Sequence, residues 1–391
     1  MKTVSSLVFA VLLVTPWAMA QDSSSRSLAD LHEIEAAERA NRLGVADSGS
    51  DFRSPSIMDG SSAMAAAEPG GWIAGAGVYY LQPHWGNNPA YQTLISTATA
   101  SANIQNTSQQ DFDLGGQFAP YAWVGYVGPN GFGIRGRYWH MSGSTSTTTS
   151  PDQTDPTVTG TIYSAYPLGI GFAAQSATGV ANSLEFDSNL TMDVTDLEFI
   201  WEFHPGRGSL ILGAGLRYAQ LSQQYNANWT STPAATPLAT SVTTLSSAQI
   251  FDGIGPVVSL EARYPIAGSG FSILGSARGS LLIGTGNQQV AMNQLQNDST
   301  GALAFQDTTT GAQNMGGLMP VLEGEIGAQW EHRMGQYRLF VEAAAVGQAW
   351  FSAGNAANSN SMLGIATPSD STTFRETMGV IGGRVAFGLS Y

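Results

Sequence analysis

The sequence predicts an all-β protein that closes into a transmembrane, antiparallel, up-and-down β-barrel. From residue 71 onward, apolar and polar side chains alternate with a period of two, as in strands with two different faces. The connections between these segments alternate between short and long. No segment beyond the N-terminal stretch is apolar enough for a spanning helix. Without such a helix, only a closed barrel satisfies every backbone hydrogen bond inside a membrane.

Residues 1–20 are expected to be a cleaved secretory signal peptide. Lys2 supplies the positive end, residues 7–14 the apolar stretch, and Ala18 and Ala20 the small side chains before the cleavage site. The apolar stretch is far shorter than the ~20 residues that a spanning helix needs. We therefore expect an exported chain that resides in the bacterial outer membrane.

Residues 21–70 are interpreted as a periplasmic leader that precedes the barrel of residues 71–391. A thin apolar stripe within residues 21–50 predicts a short helix, with a partly ordered segment as the alternative. Residues 51–70 contain prolines and glycines that indicate a linker.

The composition limits the classes of function. Charged residues make up 11% of the chain, against roughly 25% in an average soluble domain. There are no cysteines, which excludes disulfide scaffolds and thiolate metal sites. The formal net charge of -14 disfavours nucleic acid as a partner, because phosphate binding depends on Lys and Arg. We expect no cofactor and no metal site.

Ten strands are predicted, an even number that places both barrel ends and the short turns in the periplasm. Their ranges are 71–82, 112–127, 131–142, 184–203, 209–221, 250–265, 270–285, 317–333, 336–352 and 373–391. Long external loops are predicted at 83–111, 143–182, 222–249, 287–316 and 353–372. Residues 156–174 could hide a further hairpin, so a barrel of 12 strands is the alternative. The apolar parity changes between Val194 and Leu197, which predicts a β-bulge there.

Charged residues recur on the face opposite the apolar one, and we predict that they line the barrel interior. They are Arg135, Arg137, Glu198, Glu202, Arg217, Glu261, Arg263, Arg278, Glu323, Glu325, Glu342 and Arg384. One interpretation is a charged lumen that lines a water path and sets ion selectivity. The other is a plug of Arg–Glu ion pairs, which ten strands favour because small barrels are filled by side chains. Twelve or more strands would favour the pore.

The last strand carries a candidate assembly signal. Val385, Phe387, Leu389 and Tyr391 alternate along it and end the chain on an aromatic residue. This pattern resembles the terminal signal by which bacterial outer-membrane proteins are recognised for barrel insertion. The expected partners are therefore the barrel-assembly machinery and outer-membrane lipid.

Enzyme activity is not expected from the sequence. His140 lies at an outer strand end, where a membrane protease or lipase would keep a catalytic histidine. The neighbouring sequence offers it no partner carboxylate before Asp152. No G-x-S-x-G nucleophile motif is present.

Several strand segments resemble a known family. They are Gly133–His140 (GIRGRYWH), Asp196–Glu198 (DLE), Gly215–Gln220 (GLRYAQ), Phe251–Pro256 (FDGIGP) and Ala277–Gly284 (ARGSLLIG). Together they resemble the pore-forming outer-membrane family typified by the Legionella major outer membrane protein, which has planctomycete members. The resemblance implies a barrel that passes small hydrophilic solutes or ions passively. The alternative is a closed structural or surface-adhesive barrel without transport.

The resemblance leaves the oligomeric state open. The type member of the family is associated with cysteines in its cross-linked form, and this chain has none. We therefore do not extend the cross-linked assembly to this chain, although an oligomer of another kind is compatible with the sequence.

Overall fold

A computed structural model of the chain describes residues 70–98, 103–151, 158–267, 269–357 and 376–391. The predicted signal peptide and periplasmic leader lie outside these residues, so both stay predictions. Within the described ranges, ten strands form one closed antiparallel barrel, as predicted. No helix in this part of the chain is long and apolar enough to cross a membrane.

The barrel strands follow one another around the wall in chain order, and the first pairs with the last. They are β1 (Gly71–Trp85), β4 (Gln117–Val127), β5 (Phe132–Thr149), β8 (Val180–Phe203), β9 (Ser209–Pro233), β10 (Ser241–Pro265), β11 (Phe271–Asn297), β12 (Leu303–Met334), β13 (Tyr337–Trp350) and β14 (Met378–Ser390). The short connections that follow β4, β8, β10 and β12 share one end of the barrel with Gly71 and Tyr391. We assign that end to the periplasm, because short turns mark the periplasmic side of such barrels.

The described residues also form four strands outside the barrel. The strands β2 (Pro89–Ala98), β3 (Asn103–Asp111), β6 (Val158–Ser164) and β7 (Ala173–Gln175) form a separate sheet in the order β3-β2-β6-β7. The hairpin suspected at 156–174 therefore exists as β6 and β7, with a short 3-10 helix (Pro167–Gly169) between them. It does not enter the barrel, so the alternative of 12 barrel strands is wrong.

Two of the predicted external loops are extensions of barrel strands. The strands β9 and β10 run on to Pro233 and Ser241, so that only residues 234–240 connect them. Similarly, residues 298–302 connect β11 to β12. The loop predictions at 222–249 and 287–316 are therefore wrong over most of their length. Polar composition suggested loops, but buried residues such as Tyr225 and Val290 keep the two-residue period of a strand.

The outer wall carries an apolar band that ends at a sharp boundary. Outward residues such as Leu216, Val258 and Ile283 are exposed, as in a lipid-facing surface. Four polar residues on neighbouring strands are register partners at the extracellular end of this band, and we call them the boundary row. They are His140, Asp193, Gln220 and Asp252. Exposed aromatic residues mark the periplasmic end, namely Trp72, Phe132, Trp201, Tyr264 and Trp330.

The predicted β-bulge is absent from β8. Its pairing with β5 and β9 is continuous, and Val194, Asp196 and Glu198 all point inward. The parity of the apolar residues changes because the barrel interior changes from apolar to charged at this level. The prediction of a bulge between Val194 and Leu197 is therefore wrong.

The position of β14 gives the predicted assembly signal a physical context. β14 closes the barrel against β1 and β13, and Val385, Phe387 and Leu389 point outward from it, as does Tyr391 just beyond its end. We expect the double substitution Phe387→Ser and Tyr391→Ser to leave the chain in the periplasm. Cell fractionation, together with the heat-modifiable gel mobility of a folded barrel, would measure this. Ser390→Ala is the matched control, and normal insertion of the double variant would contradict the assignment.

Candidate functional site

The barrel interior contains two networks of ion pairs that Tyr121 joins, and together we call them the charged belt. It has six arginines and six carboxylates, so its formal charges balance. Its members are Arg135, Arg137, Asp196, Glu198, Arg217, Glu261, Arg263, Arg278, Glu323, Glu325, Glu342 and Arg384. The strands place it in the periplasmic half of the barrel, where alternate residues of β5, β8 and β9 turn inward.

Arg217 lies at the centre of the belt and is fully buried. Its Nε donates to Asp196 Oδ1 at 2.6 Å and its Nη2 donates to Asp196 Oδ2 at 2.9 Å. Its Nη1 donates to Glu323 Oε1 at 2.6 Å. A forked arginine matches a carboxylate through two parallel hydrogen bonds, so this pair joins register partners on the adjacent strands β8 and β9. The bond to Glu323 crosses the interior to β12.

Arg278 and Arg135 extend the belt across the barrel. Arg278 contacts Glu198 at 3.3 Å, Glu323 at 3.4 Å and Glu261 at 3.6 Å. Arg135 contacts both Glu198 and Glu261 at 2.8 Å. Each arginine is shared by several carboxylates from different strands, so no charge in this part of the belt stands alone.

A tyrosine joins the remaining arginines of the belt. Arg384 contacts Glu342 at 2.9 Å and Glu325 at 3.2 Å. The guanidinium groups of Arg137 and Arg384 lie 5.4 and 5.6 Å from the ring centre of Tyr121. An aromatic face attracts cations at this distance, so Tyr121 holds two like charges in one layer.

The structure places eleven of the twelve predicted interior residues in the belt. Glu202 is the exception, because it lies at the periplasmic mouth with His204 at 3.6 Å. Asp196, which was not among the predicted residues, has only 1% of its surface exposed and contacts three arginines. Whether these side chains line a water path stays a prediction.

An apolar layer fills the interior on the extracellular side of the belt. Trp139 and Trp350 are both buried, and their ring centres lie 6.3 Å apart. The layer consists of Leu81, Trp139, Met141, Leu190, Met192, Val194, Ala219, Leu221, Phe251, Leu282, Met319, Val321, Val346, Trp350, Met378 and Val380. The layer lies further along the barrel axis towards the extracellular end than the belt, because Trp139 and Met141 follow Arg137 on the inner face of β5.

The segment 351–357 after β13 lies inside the extracellular end of the barrel. Gln249 donates to the Ala353 carbonyl at 2.9 Å, and Ser247 donates to the Ala356 carbonyl at 2.7 Å. Trp85 donates from Nε1 to the Gly354 carbonyl at 3.1 Å. These bonds satisfy the backbone of the segment, which therefore covers the apolar layer from above.

Two cavities lie on the periplasmic side of the apolar layer. The smaller has a volume of about 40 Å³ and lies within the charged belt. The larger has a volume of about 660 Å³ and opens at the periplasmic mouth. Its lining includes Glu202, Arg207, Arg263, Glu331 and Arg338.

A second polar cluster lies on the outer wall, in the boundary row. His140 Nδ1 lies 2.9 Å from Asp193 Oδ1, and Tyr138 donates to the same oxygen at 2.8 Å. The expectation that His140 has no carboxylate partner is therefore wrong. No group of three or more histidine, aspartate or glutamate residues placed to hold a metal ion occurs in the described ranges.

Comparisons with solved structures return other outer-membrane barrels. The outer membrane protease OmpT from Escherichia coli matches with 12% identity and a TM-score of 0.37, over 82% of this chain and 96% of that protein. A major outer membrane protein from Thermus thermophilus matches with 12% identity and a TM-score of 0.26, over 82% and 99%. A Pseudomonas aeruginosa FadL homologue matches with 8% identity and a TM-score of 0.23, over 83% and 90%. A search of curated proteins found no match.

The prediction that the chain is not an enzyme needs correction. The finding that opposes this prediction is the protease among the matched barrels. The physical argument against catalysis also fails, because Asp193 supplies the partner that His140 was thought to lack. The similarity to the protease is too low to assign an activity to this chain.

The sequence itself matches a family model over most of its length. The match covers residues 65–382, and its description is the Legionella pneumophila major outer membrane protein precursor. It includes the apolar layer, every residue of the charged belt except Arg384, and nine of the ten barrel strands in full. The chain therefore belongs to the family of the Legionella major outer membrane protein and is an outer-membrane β-barrel.

Proposed function

We propose that this barrel is closed along its axis and serves as a structural, surface-presenting component of the outer membrane. One observation carries the proposal, namely the apolar layer that lies over a charge-balanced belt in a ten-stranded barrel. A barrel of about eight strands has an interior just wide enough for side chains to fill, and the diameter grows only in proportion to the number of strands. The side chains of the layer and the belt occupy that width.

The chemistry of the two layers opposes passage of ions. An ion that crosses the apolar layer would lose its hydration without gaining a polar partner, and this costs several kcal/mol or more. A water chain through the layer would need polar groups to bond to, and side chains such as Leu81, Met141 and Trp350 offer almost none. Below the layer, the arginines and carboxylates are bonded to one another, so no single-sign ring is present to draw ions through.

The extracellular end offers a surface for contact with the environment. All nine residues of β3 are exposed, and they are mostly Gln, Asn, Ser and Thr. Beneath the extracellular sheet lies a separate apolar cluster that includes Phe112, Phe186 and Tyr225. A rigid, polar sheet on a buried core suits a surface that presents side chains outward. Outer-membrane lipid and the barrel-assembly machinery remain the expected partners.

Passive passage of small hydrophilic solutes or ions is the second candidate. The cavity of about 660 Å³ at the periplasmic mouth favours it, because charged side chains line a wet approach to the interior. Passage would also require the segment 351–357 and the apolar layer to move aside. The closed barrel needs no such rearrangement, so we place it first.

Conductance in planar bilayers separates the two functions. We expect the purified chain to insert without producing steady single-channel steps, because the apolar layer blocks the axis. A general porin reconstituted in the same way is the positive control. Reproducible steps that scale with the amount of protein would contradict the closed barrel. In that case, Arg263→Glu should shift the reversal potential towards cation selectivity if the path runs through the periplasmic cavity.

A further inference from the structure

We propose that Ser142, His140 and Asp193 form an esterase site on the outer wall of the barrel, with acyl esters of outer-leaflet lipids as its substrate class. The site belongs to the boundary row and lies outside the interior. The inference is therefore independent of whether the barrel axis is open or closed.

The position of the site follows from the outer wall. On β5, outward residues change from Ile134 and Tyr138 below His140 to Ser142 and Ser144 above it. On β8 and β9 the outward residues above Asp193 and Gln220 are likewise polar. Asp252 continues the row on β10, where the exposed Ile250 lies above it. This height is the boundary between the apolar band and water, which is where the ester bonds of membrane lipids lie.

The geometry orients His140 as a general base. Asp193 Oδ1 lies 2.9 Å from Nδ1 of the imidazole, so Nδ1 carries the proton and Nε2 is left as the basic atom. Tyr138 donates to the same Asp193 oxygen at 2.8 Å, which fixes the carboxylate. The His140 and Asp193 side chains are 37% and 31% exposed, so the pair is accessible from the outside of the wall. A carboxylate that holds a histidine in one tautomer is the arrangement that activates a serine.

Ser142 is the nucleophile that we assign to this base. It follows His140 by two residues, so both side chains point outward from β5. A strand rises about 3.3 Å per residue, which separates the two Cα atoms by roughly 7 Å. Side chains at this separation on one face of a strand are neighbours, so the His140 imidazole can turn its Nε2 towards the Ser142 hydroxyl. Thr191 is the register partner of Ser142 on β8, and its hydroxyl group can donate to an oxygen that gains negative charge.

The chemical step needs only the ester and water. The Ser142 hydroxyl oxygen attacks the ester carbonyl carbon, while His140 Nε2 takes the hydroxyl proton. The C–O bond to the alcohol then breaks, and His140 returns the proton to the departing oxygen. Water, activated by the same Nε2, attacks the acyl-serine, releases the fatty acid and restores the serine. The Asp193 carboxylate stabilises the imidazolium in both halves of the cycle.

The test is release of fatty acid by the full-length barrel in mixed micelles. Lipopolysaccharide and phosphatidylethanolamine are supplied separately, so that the two sources of acyl ester are distinguished. Mass spectrometry measures the free fatty acid, and a fluorophosphonate probe reports the reactive serine. We expect release from one of the two lipids and a covalent adduct on Ser142. Ser142→Ala and His140→Ala should each lower the rate by at least about 1000-fold, and Thr191→Val by about 100-fold.

The controls separate chemistry from folding. Ser144→Ala changes the next outward serine on the same strand and should retain full activity. Heat-modifiable gel mobility checks that every variant is a folded barrel. The proposal is overturned if neither lipid is cleaved above the Ser142→Ala background, or if the probe labels Ser142 and Ser144 equally. The release of fatty acid should be the same whether or not the barrel conducts ions, because the site does not use the barrel axis.

Discussion

Asp196→Ala is expected to destabilise the folded barrel by about 3–5 kcal/mol, the range found when one partner of a buried ion pair is removed. Arg217 would lose both hydrogen bonds to this carboxylate, and Arg137 and Arg278 would lose a charge within 4 Å. Arg217 has no exposed surface, so water cannot replace the lost carboxylate without opening the interior. The variant would leave the belt with one more arginine than carboxylates.

The expected loss comes from the charge rather than from the volume of the side chain. Asp196→Asn keeps the shape and one acceptor oxygen, but it leaves the same uncompensated arginines. We therefore expect its effect to approach that of the alanine variant. A leucine would fill the space and still leave Arg217 with Glu323 as its one carboxylate partner.

Guanidinium-induced unfolding of the barrel in lipid vesicles would measure the difference in free energy. Asp187→Asn is the matched control, because Asp187 lies on the same strand, outside the buried network. That control should change the free energy of unfolding by less than about 0.5 kcal/mol. Equal unfolding midpoints for the control and for Asp196→Ala would show that the belt does not hold the barrel together.

The number of strands and the inward position of the charges follow from local pattern. Arg135 and Arg137 alternate with outward apolar residues, and the same rule holds for Glu323 and Glu325 on β12. A period of two requires only that each strand has two faces, so it is visible without knowledge of the partner strands. Eleven of the twelve belt positions were accessible to this reasoning.

Asp196 was missed because the pattern assumes that the apolar face of a strand stays on one side. On β8 the inward residues are apolar from Leu190 to Val194 and charged at Asp196 and Glu198. The change reflects a boundary between two layers of the interior, which is set by residues from other strands. A single strand cannot show where that boundary lies, so the change was interpreted as a bulge.

The extended hairpins illustrate a related limit. Ser, Thr, Asn and Gln favour loops in local statistics, yet the inward positions of β9 and β11 remain buried well beyond the boundary row. Tyr225 donates to the Ala90 carbonyl, which lies 135 positions away along the chain. Such long-range contacts stabilise strands that their own composition disfavours.

The carboxylate partner of His140 could not be predicted from the sequence for the same reason. Asp193 lies on the adjacent strand in space, but the segment that contains β6 and β7 separates Asp193 from His140 in the sequence. A search for a carboxylate near His140 along the chain meets Asp152 first, and Asp152 lies outside the described residues. The pairing of β5 with β8, rather than spacing along the chain, brings His140 and Asp193 together.

Leu216→Arg is expected to cost roughly 2–4 kcal/mol of folding free energy, as an arginine at the bilayer midplane of a barrel does. Leu216 points outward from β9, is 55% exposed, and lies between the periplasmic aromatic residues and the boundary row. An arginine there must either lose its hydration in lipid or bend towards an interface, and both cost free energy.

Gln224→Arg is the comparison variant on the same face of the same strand. Gln224 lies two outward positions above Gln220 of the boundary row, where water covers the wall. Its cost should be no more than about 1 kcal/mol, since the penalty vanishes near the interface. Guanidinium-induced unfolding in vesicles of defined thickness would measure both variants side by side. If Leu216→Arg and Gln224→Arg unfold at the same denaturant concentration, the boundary row does not mark the edge of the membrane. The depth assigned to His140, and with it the access of the esterase site to lipid esters, would then have to be abandoned.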